Sequence, residues 1–329
     1  MTINRLVVTV IAFAAVVQAA AATGAETAKD YPSRPVRLVV PYPPGTSTND
    51  ILGRALAPRL TAAFGQQVVV DNRAGASGTM GSELVAKAAP DGYTLLIAVA
   101  SPLAIGPSMY AKLGYDTVRD FAPVARFAVI PYVMALNLSV PAANVKELIA
   151  LAKSRPGRLN FASSGVGGTP HLCGELFKRA ASVDMVHVPY KGAGLAVPDV
   201  ISGQVQMCCT GLTALASQIK AGRLRAIGIA SLGRSALMPE VPTISEQGLP
   251  GFEVNSWTGV VVPAKTPPAI VRRLYDEIVR IVSDGDMRNF MLSQGAEPAL
   301  MGPEEFGAYI KADIAKWAKV IKAAGIKPE

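Results

Sequence analysis

The sequence predicts an α/β chain folded as two lobes, and three observations lead to that prediction. From residue 31 onward, apolar runs of strand length alternate with amphipathic runs of helical length. Such alternation is typical of a parallel-rich sheet with helices on both faces. The middle third repeats the pattern as a unit of its own, and the first unit resumes near Trp257. The length of 329 residues also exceeds the ~250–300 residues at which single cores stop growing.

We expect lobe 1 to comprise residues 31–126 and 254–329, and lobe 2 to comprise residues 127–253. Each lobe is predicted to be a mostly parallel sheet flanked by helices. The chain then crosses between the lobes twice, near Phe127 and near Val254, which is typical of a hinged protein that closes. Two domains in plain tandem are the alternative that the pattern leaves open.

In the first unit, each element follows from the spacing of its apolar residues. Strands are predicted at residues 36–41, 68–71 and 93–99. A helix is predicted at 51–64; Gly65 ends it, and Pro58 inside it can cause a kink. A glycine-rich loop at 75–81 leads into a second helix that ends at Ala88.

The second unit and the return of the chain show the same two periodicities. Strands are predicted at 127–138, 159–162, 185–188, 205–209, 224–230 and 257–262. Helices are predicted at 145–153, 172–180, 212–220, 268–283 and 303–324. Residues 238–252 contain three prolines and two glycines, so we interpret them as a connector.

The first 25 residues have the pattern of a secretory signal peptide. Arg5 is followed by an apolar run at 6–17 and by alanines up to Ala25. A membrane anchor is the alternative, because residues 6–25 carry no charge and almost span a bilayer. The alanine-rich second half and the absence of a basic flank favour cleavage, between Ala22 and Ala25, and hence a periplasmic protein.

Charge and cysteine content exclude several classes of protein. The formal charge of +8 is scattered, from 32 Lys and Arg against 24 Asp and Glu, so we expect no nucleic-acid partner. The three cysteines are Cys173, Cys208 and Cys209. Because adjacent cysteines rarely pair, we interpret Cys208 and Cys209 as small core residues of a buried strand. Two histidines are too few for a metal cluster, and we expect neither metal nor cofactor.

Three loops at predicted strand ends are rich in Gly, Ser and Thr, and a helix follows each loop directly. They are residues 43–50, residues 74–79 and residues 163–169. Helix N-termini expose unpaired N–H groups and partial positive charge, so a carboxylate fits there without a lysine or arginine. One such loop is explained by ordinary capping. Three of them, divided between two units, favour a ligand site at the interface.

Nucleotide binding and hydrolysis are weaker interpretations of these loops. Gly165 and Gly167 begin a G-x-G pattern, but Pro170 occupies the place of the third glycine. A secreted hydrolase would need a serine such as Ser77, Ser163 or Ser164 with His171 or His187 as base. Because no G-x-S-x-G elbow is present, binding is favoured over catalysis.

At these residues the sequence resembles the exported solute-binding proteins of tripartite tricarboxylate transporters, the Bug or TctC-type family. The matching stretches run in order along nearly the whole mature chain: YPSRPVRLVVPYPPG, QQVVVDNRAGASGTMGSELVAKAAPDGYTLLIA, LNFASSGVGGTPHLCGELF, VPYKGAG, IKAGRLRAIGIAS, VPTISEQGLPGFEVNSWTGVVVPAKTP and WAKVIKAAGIKPE. The resemblance implies a two-lobed Venus flytrap, related to type II periplasmic binding proteins, that closes on a small organic carboxylate. It would then deliver the ligand to membrane transporter subunits or, in some members, to a signalling partner.

The resemblance also implies which residues contact the ligand. In lobe 1 they are Tyr42, Pro44, Gly45, Thr46, Ser47, Thr48, Asn49, Asp50, Ser77, Gly78, Thr79 and Ser101. In lobe 2 they are Ser163, Gly167, Gly168, Thr169, His171, Tyr190, Lys191, Gly192 and Thr210. Tyr42, Tyr190 and Trp257 are the aromatic residues placed to stack on a ring. We expect a monomer that binds without covalent chemistry.

Two departures from the family pattern bear on the ligand. The family loop contains a second glycine, whereas this chain has Thr46 after Gly45 and a spacer that is one residue longer before Asp50. Thr210 occupies a place where many members carry an acid. Without that acid an ammonium group lacks a partner, so we expect a carboxylate without an amino group.

Overall fold

The structure is a computed structural model that describes residues 31–45, 47–190 and 193–326. The predicted signal peptide at 1–25, Thr46, Lys191 and Gly192 lie outside the described residues. Ten strands are described: β1 Val36–Val40, β2 Val68–Asn72, β3 Thr94–Val99, β4 Phe121–Asn137, β5 Asn160–Ser163, β6 Val186–Pro189, β7 Met207–Gly211, β8 Leu224–Ile229, β9 Asn255–Pro263 and β10 Glu297–Met301.

Ten α-helices are described beside these strands. They are α1 Thr48–Phe64, α2 Thr79–Ala86, α3 Gly106–Met109, α4 Val145–Ser154, α5 Thr169–Ala181, α6 Ala193–Ser202, α7 Leu212–Lys220, α8 Pro268–Ser283, α9 Gly285–Ser293 and α10 Pro303–Ala323. Two 3₁₀ turns, Ala76–Gly78 and Ser245–Gln247, and one π-helical turn, Ser101–Ile105, complete the described elements. No helix within the described ranges has the length and hydropathy needed to cross a membrane.

The strands join edge to edge in the order β2-β1-β3-β9-β4-β7-β5-β6, with β8 and β10 also paired to β4. Strands β2, β1 and β3 are parallel, as are β7, β5 and β6. Every antiparallel pair in this sheet includes β4 or β9. The expectation of a mostly parallel sheet is therefore wrong at the centre, where the two long connecting strands run against their neighbours.

Strand β4 joins the two halves of the sheet. Its first part, Phe121–Pro131, pairs with β9, and from Tyr132 onward it pairs with β7 and β8. The chain returns beside it: the Ala230 N–H donates to the Tyr132 carbonyl at 2.8 Å, and the Val254 N–H donates to the Ala230 carbonyl at 2.7 Å. Two strand-like passages thus connect lobe 1, which carries β1, β2, β3, β9 and β10, with lobe 2, which carries β5 to β8.

The sheet is covered by apolar residues on both faces. In lobe 1, Leu38 and Leu52 belong to a fully buried cluster between the strands and helices α1 and α8. On the other face a second cluster, which includes Trp257 and Trp317, extends from lobe 1 into lobe 2. A third cluster lies beneath α6 and α7. The prediction that Trp257 can stack on a ligand is wrong, because its ring is fully buried and its Nε1–H donates to Asp313.

The predicted elements are all present, with ends within three residues of expectation except at β4, which begins six residues earlier. The sequence prediction missed the turns at 101–109, α6, α9 and β10. Proline explains three of these omissions, since Pro102 and Pro107 begin the turns, Pro198 lies inside α6 and Pro298 lies in β10. Strand β10 tolerates its proline because it pairs only with β4.

A disulfide between Cys173 of α5 and Cys209 of β7 joins a helix to the sheet in lobe 2. Cys208 is a buried free thiol. The prediction that Cys208 and Cys209 are core residues of a buried strand is thus correct for both, but the disulfide from Cys209 to Cys173 was not predicted. Successive side chains of a strand point to opposite faces, so Cys209 reaches α5 while Cys208 faces the cluster beneath α6 and α7.

Candidate functional site

The turns that follow β1, β2 and β3 meet at one edge of lobe 1. A Cβ built on Gly78 would lie 3.2 Å from Cγ of Pro102 and 3.3 Å from Cβ of Pro41. One on Gly81 would lie 2.7 Å from the Arg73 carbonyl oxygen. The three turns therefore touch through backbone and proline rings, as expected for the carboxyl ends of neighbouring parallel strands.

Asp50 is the centre of the first loop, residues 41–50. Its carboxylate is fully buried and accepts hydrogen bonds from the Gly45 N–H at 2.6 Å, Asn72 Nδ2 at 2.6 Å and Arg54 Nε at 3.0 Å. Burial raises the pKa of this carboxyl, but the bonds from Asn72, Gly45 and Arg54 outweigh it and the pKa is lowered. Asp50 thus fixes the exposed turn at Gly45 from within the protein.

The neighbouring residues divide into supporting and exposed groups. Ser47 caps α1 by accepting from the Asp50 N–H, and Thr48 is the first residue of the helix. Asn49 is buried, and its Oδ1 accepts from the Thr258 hydroxyl of β9 at 2.5 Å. Pro44 and Gly45 are exposed. The loop therefore presents its turn and the N-terminus of α1 while its buried polar side chains hold both in place.

The second loop has an uncommon backbone. Gly75, Ala76, Ser77 and Gly78 all have positive φ, at 138°, 43°, 53° and 95°. Non-glycine residues rarely hold this conformation, and such strain is concentrated at binding and active sites. Thr79 begins α2 and donates its hydroxyl hydrogen to the Ala76 carbonyl at 2.9 Å. The exposed side chain of Ser77 and the N-terminus of α2 lie beside the first loop.

Ser101 begins the π-helical turn after β3 and bonds to the hydroxyl of Tyr42. Burial, only partly offset by this bond, raises the pKa of the Tyr42 phenol, and Tyr132 and Tyr110 raise it further. The three phenols therefore lie close together around Ser101. Turns of this type recur at functional sites, and Tyr42 and Ser101 are brought together as predicted for one site.

In lobe 2, the loop at 163–169 is held by both histidines of the chain. The Ser163 hydroxyl donates to the Gly165 carbonyl at 3.0 Å, accepts from the Gly165 N–H at 3.2 Å and lies 2.6 Å from His187 Nε2. The Gly167 N–H donates to His171 Nδ1 at 3.0 Å. The two imidazoles stack with their centroids 3.8 Å apart. Ser163 thus bonds to Gly165 and His187, and Gly167 bonds to His171, so these groups hold the loop within the protein.

Burial is the main cause that lowers the pKa of each histidine to about 4. Lys178 lowers the pKa of His171 further. His171 also lowers the pKa of His187, whereas Glu175 raises it by more than Lys178 lowers it. Both rings are therefore neutral at neutral pH. This side of the cleft presents hydroxyls, amides and neutral imidazoles.

Sequence reasoning missed Tyr132, which lies where β4 passes from lobe 1 to lobe 2. Its side chain is buried and bonds to the hydroxyl of Thr169, the first residue of α5. Burial raises the pKa of Tyr132 to about 12 despite this bond. A tyrosine within an otherwise apolar strand was the available signal, because a buried phenol needs a partner.

Tyr190 and Thr210 lie at the ends of β6 and β7 in lobe 2. The Tyr190 hydroxyl donates to Asp199 at 2.7 Å, and this bond, with burial, raises the pKa of the phenol to about 12. Thr210 is buried and pairs with Val133 of β4. Gly168 precedes α5 as its N-cap, so the first N–H groups of α5 have no partner within the helix.

Loop 163–169 of lobe 2 contacts lobe 1 at Met109. A Cβ on Gly167 of lobe 2 would overlap the Cε of Met109, which ends α3 in lobe 1. Tyr42 of lobe 1 and Tyr132 are likewise near enough for their charges to interact. The N-termini of α1 and α2 belong to the lobe 1 side of this contact and the N-terminus of α5 to the lobe 2 side, and helix N-termini stabilise anions.

The geometry does not favour Ser163 as a nucleophile. Its side chain is 1% exposed. One arrangement forms all three hydrogen bonds of its hydroxyl: the hydroxyl donates to the Gly165 carbonyl and accepts from the Gly165 N–H and from His187 Nε2–H. In that arrangement His187 has no lone pair for the serine proton, as a general base requires. Among the described residues, no group of three His, Cys, Asp or Glu side chains is placed to bind a metal.

Comparison with known proteins agrees with this geometry. The profile of the tripartite tricarboxylate transporter family receptor, TctC, matches residues 52–326. The chain belongs to the TctC family. The resemblance drawn from the sequence motifs is thus confirmed, and so is the two-lobed α/β fold.

Individual members of the TctC family are similar over almost their whole length. The protein BugT of Bordetella pertussis is 37% identical over 328 residues, which cover 99% of each chain. The solved structure of R. palustris Rpa4515 with adipate has 36% identity and a TM-score of 0.77, and covers 91% of this chain and 100% of that one. MatC from Rhodopseudomonas palustris with bound malate has 31% identity and a TM-score of 0.71, and covers 88% and 100%.

Proposed function

We propose that this chain is a periplasmic receptor that captures a small organic carboxylate between its lobes and delivers it to a tripartite tricarboxylate-type membrane transporter. The observation that carries the proposal is the link between the lobes through four hydroxyl groups: Tyr42 bonds to Ser101 in lobe 1 and lies near Tyr132, which bonds to Thr169 at the N-terminus of α5 in lobe 2. Dicarboxylates in two family members, adipate and malate, support this class of ligand.

The proposed lobes are residues 31–126 with 254–329 and residues 127–253, and they close about the paired passages at Tyr132 and Val254. A ligand that contacts both lobes stabilises the closed state. The protein would act as an exported monomer after removal of residues 1–25, without turnover of its ligand. Thr46, Lys191 and Gly192 complete the proposed contacts from the sequence.

Among the predicted contact residues, the described structure separates two roles. Exposed or cleft-edge positions are proposed to touch the ligand: Tyr42, Pro44, Gly45, Thr48, Ser77, Gly78, Thr79, Ser101, Gly168, Thr169, Tyr190 and Thr210. Asp50, Asn49, Ser47, Ser163, Gly167 and His171 are proposed to hold those groups in position, because their polar atoms bond within the protein. Thr210 leaves that place uncharged, which favours acids without an amino group.

A thermal-shift screen tests the proposal, since a bound ligand raises the unfolding midpoint by mass action. The probes are adipate, malate, citrate, benzoate, glutamate and aspartate. We expect adipate or malate to raise the midpoint and the two amino acids to leave it unchanged. Tight binding of glutamate or aspartate, or turnover of an ester substrate with no acid bound, contradicts the proposal.

The substitution Thr169→Val tests the site itself. Loss of one buried hydroxyl that bonds a carboxylate costs roughly 1–3 kcal/mol of binding free energy, measured by calorimetry with the acid that gives the largest shift. Thr94→Val, at the opposite end of β3, is the matched control and should bind as the wild type does. Equal affinity of the Thr169 variant would show that the hydroxyl only caps α5.

A further inference from the structure

Both histidines of the chain bond to the same loop, residues 163–169, and they do so at two different points. His187 on β6 reaches the start of the loop through Ser163, whose hydroxyl bonds both backbone groups of Gly165. His171 on the first turns of α5 accepts directly from the Gly167 N–H. The two rings lie against each other, with an angle of 12° between their planes.

We propose that His171 and His187 are positioning residues that hold loop 163–169 in the shape that receives the ligand, and that a proton on His171 releases the loop. The inference rests on the proposed function, because it concerns the lobe 2 side of the same cleft. Neither ring needs to touch the ligand. Their role is to fix the backbone from which the Gly168 and Thr169 groups project.

The hydrogen bonds define the state of each ring. His171 Nδ1 accepts from Gly167, so the hydrogen of this neutral ring is on Nε2, which lies 3.9 Å from Glu175 Oε1. A second hydrogen on Nδ1 would meet the Gly167 N–H head on, and two donors cannot bond. The loop then loses its contact with α5 at Gly167, whose φ of 73° is left-handed.

The surroundings of the rings oppose that second proton. His171 is 5% exposed, and Phe161 of β5 stacks on the two rings at centroid distances of 5.0 and 6.4 Å. The charged groups nearby are Glu175 and Lys178 of α5, which pair with each other at 3.0 Å.

The other elements packed around the rings contribute uncharged groups. Strand β7 contributes Cys209, whose sulfur is in the disulfide and does not titrate. Strand β4 contributes the neutral Tyr132 phenol, and α10 meets α5 through the Lys319 carbonyl, which accepts from Arg179. The low histidine pKa values agree with this setting.

Hydrogen exchange of the ligand-free protein tests the positioning role without reference to any ligand. In His171→Leu we expect exchange of the Gly167 amide to rise about fivefold to tenfold, the effect of one lost hydrogen bond. His171→Asn, whose side-chain oxygen replaces Nδ1 as acceptor, should stay near the wild type. Residues 75–79 of lobe 1 are the internal reference. Unchanged exchange in His171→Leu, or equal acceleration in both variants, overturns the proposal.

The pair at Ser163 has its own variants. His187→Gln places an amide nitrogen near Nε2 and should keep the Gly165 amide protected, whereas His187→Leu should not. If His171→Leu does not fold, an NMR titration of the wild type from pH 7 to pH 4 replaces it. The Gly167 amide resonance should then move together with the His171 ring resonances. Separate titration of the two signals overturns the proposal.

Calorimetry with adipate and malate at pH 7 and pH 4 then connects the loop with binding. Because pH 4 is close to the pKa of His171, we expect weaker binding at pH 4 in the wild type and a smaller change in His171→Asn, for which the ionisation of the free acid is the same. Looser exchange with unchanged affinity in His171→Leu overturns the role in binding. If neither acid binds at either pH while exchange responds as expected, the proposed ligand class fails and the positioning of the loop stands.

Discussion

Replacing Asp50 by asparagine should remove hydrogen bonds that hold the first loop, residues 41–50, in place. The fully buried carboxylate accepts from three donors, Gly45 N–H, Asn72 Nδ2 and Arg54 Nε. An amide of the same shape has one acceptor and one donor end, so at least one of the three donors faces another donor. Asn72 cannot turn to compensate, because its Nδ2 also donates to the Tyr42 carbonyl and its Oδ1 accepts from Arg54.

The size of the effect follows from the kind of bond that is lost. Hydrogen bonds to a charged group contribute about 1.5–3 kcal/mol each, and breaking a buried charge pair costs about 3–5 kcal/mol. Because Arg54 is 46% exposed and can turn to water, we expect a loss of about 3 kcal/mol in the free energy of unfolding. The Gly45 turn also loses its anchor, so binding of the carboxylate should weaken about tenfold or more.

Urea denaturation and calorimetry measure the two effects on the same variant. Asp276→Asn is the control, since the Asp276–Arg272 pair lies on the surface, where such pairs contribute little. An Asp50→Asn protein as stable as the wild type would refute the assignment of Asp50 as the anchor. Lost stability with full affinity would show that the turn at Gly45 does not contact the ligand.

Two further substitutions test how α5 is fixed on the sheet. Cys173→Ser opens the 36-residue disulfide loop and should lower the unfolding free energy by up to about 4 kcal/mol on the chain-entropy model; reductant should have the same effect on the wild type and none on the variant. Gly174→Ala places a methyl group against the Phe161 ring and should lower the free energy of unfolding by about 1–3 kcal/mol or more. Its control, Gly285→Ala, faces open space and should leave the free energy of unfolding unchanged. Urea midpoints measure both variants, and an unchanged Gly174→Ala midpoint would contradict the close packing.

The elements of the fold were predictable because their signals are local. The apolar face of α8 and the apolar run of β1 are visible within one window of sequence. The pairing of β9 between β3 and β4 is not local, because it joins residues more than 120 positions apart. The spacing of apolar residues in β9 does not show whether its neighbours run parallel or antiparallel to it. The sequence prediction therefore expected more parallel strand pairs than the sheet contains.

The position of the site in the fold could be predicted from the sequence, but the hydrogen-bond partners of its side chains could not. Strand ends and helix starts identified the loops around Gly45, Gly78 and Gly168; the first two meet at Pro41, and the third contacts lobe 1 at Met109. Whether a polar side chain faces the ligand or the protein depends on partners far along the chain. Asn49 finds Thr258, 209 positions away, and Tyr132 finds Thr169. Sequence motifs mark such residues as important without assigning them to either role.

Loss of stability in acid should occur in two separate steps. The pKa of His171 is about 4 in the folded protein and 6.5 in the reference state, so the unfolded chain binds more protons between these values and stability falls as the pH falls from 6.5 to 4. The difference corresponds to about 3 kcal/mol for His171, at 1.36 kcal/mol per pH unit. His187 is coupled to it and does not simply add.

Asp50 acts only at lower pH. Its pKa is lowered from 3.8, so its contribution is complete above 3.8 and is lost as the pH falls through the folded value. Urea midpoints between pH 7 and pH 2 should therefore decline first through the histidine window and then again below it. In His171→Asn the decline between pH 6.5 and 4 should become shallower while the lower step remains. An equal slope in the variant and the wild type would show that burial of the imidazole is not what makes the protein sensitive to mild acid.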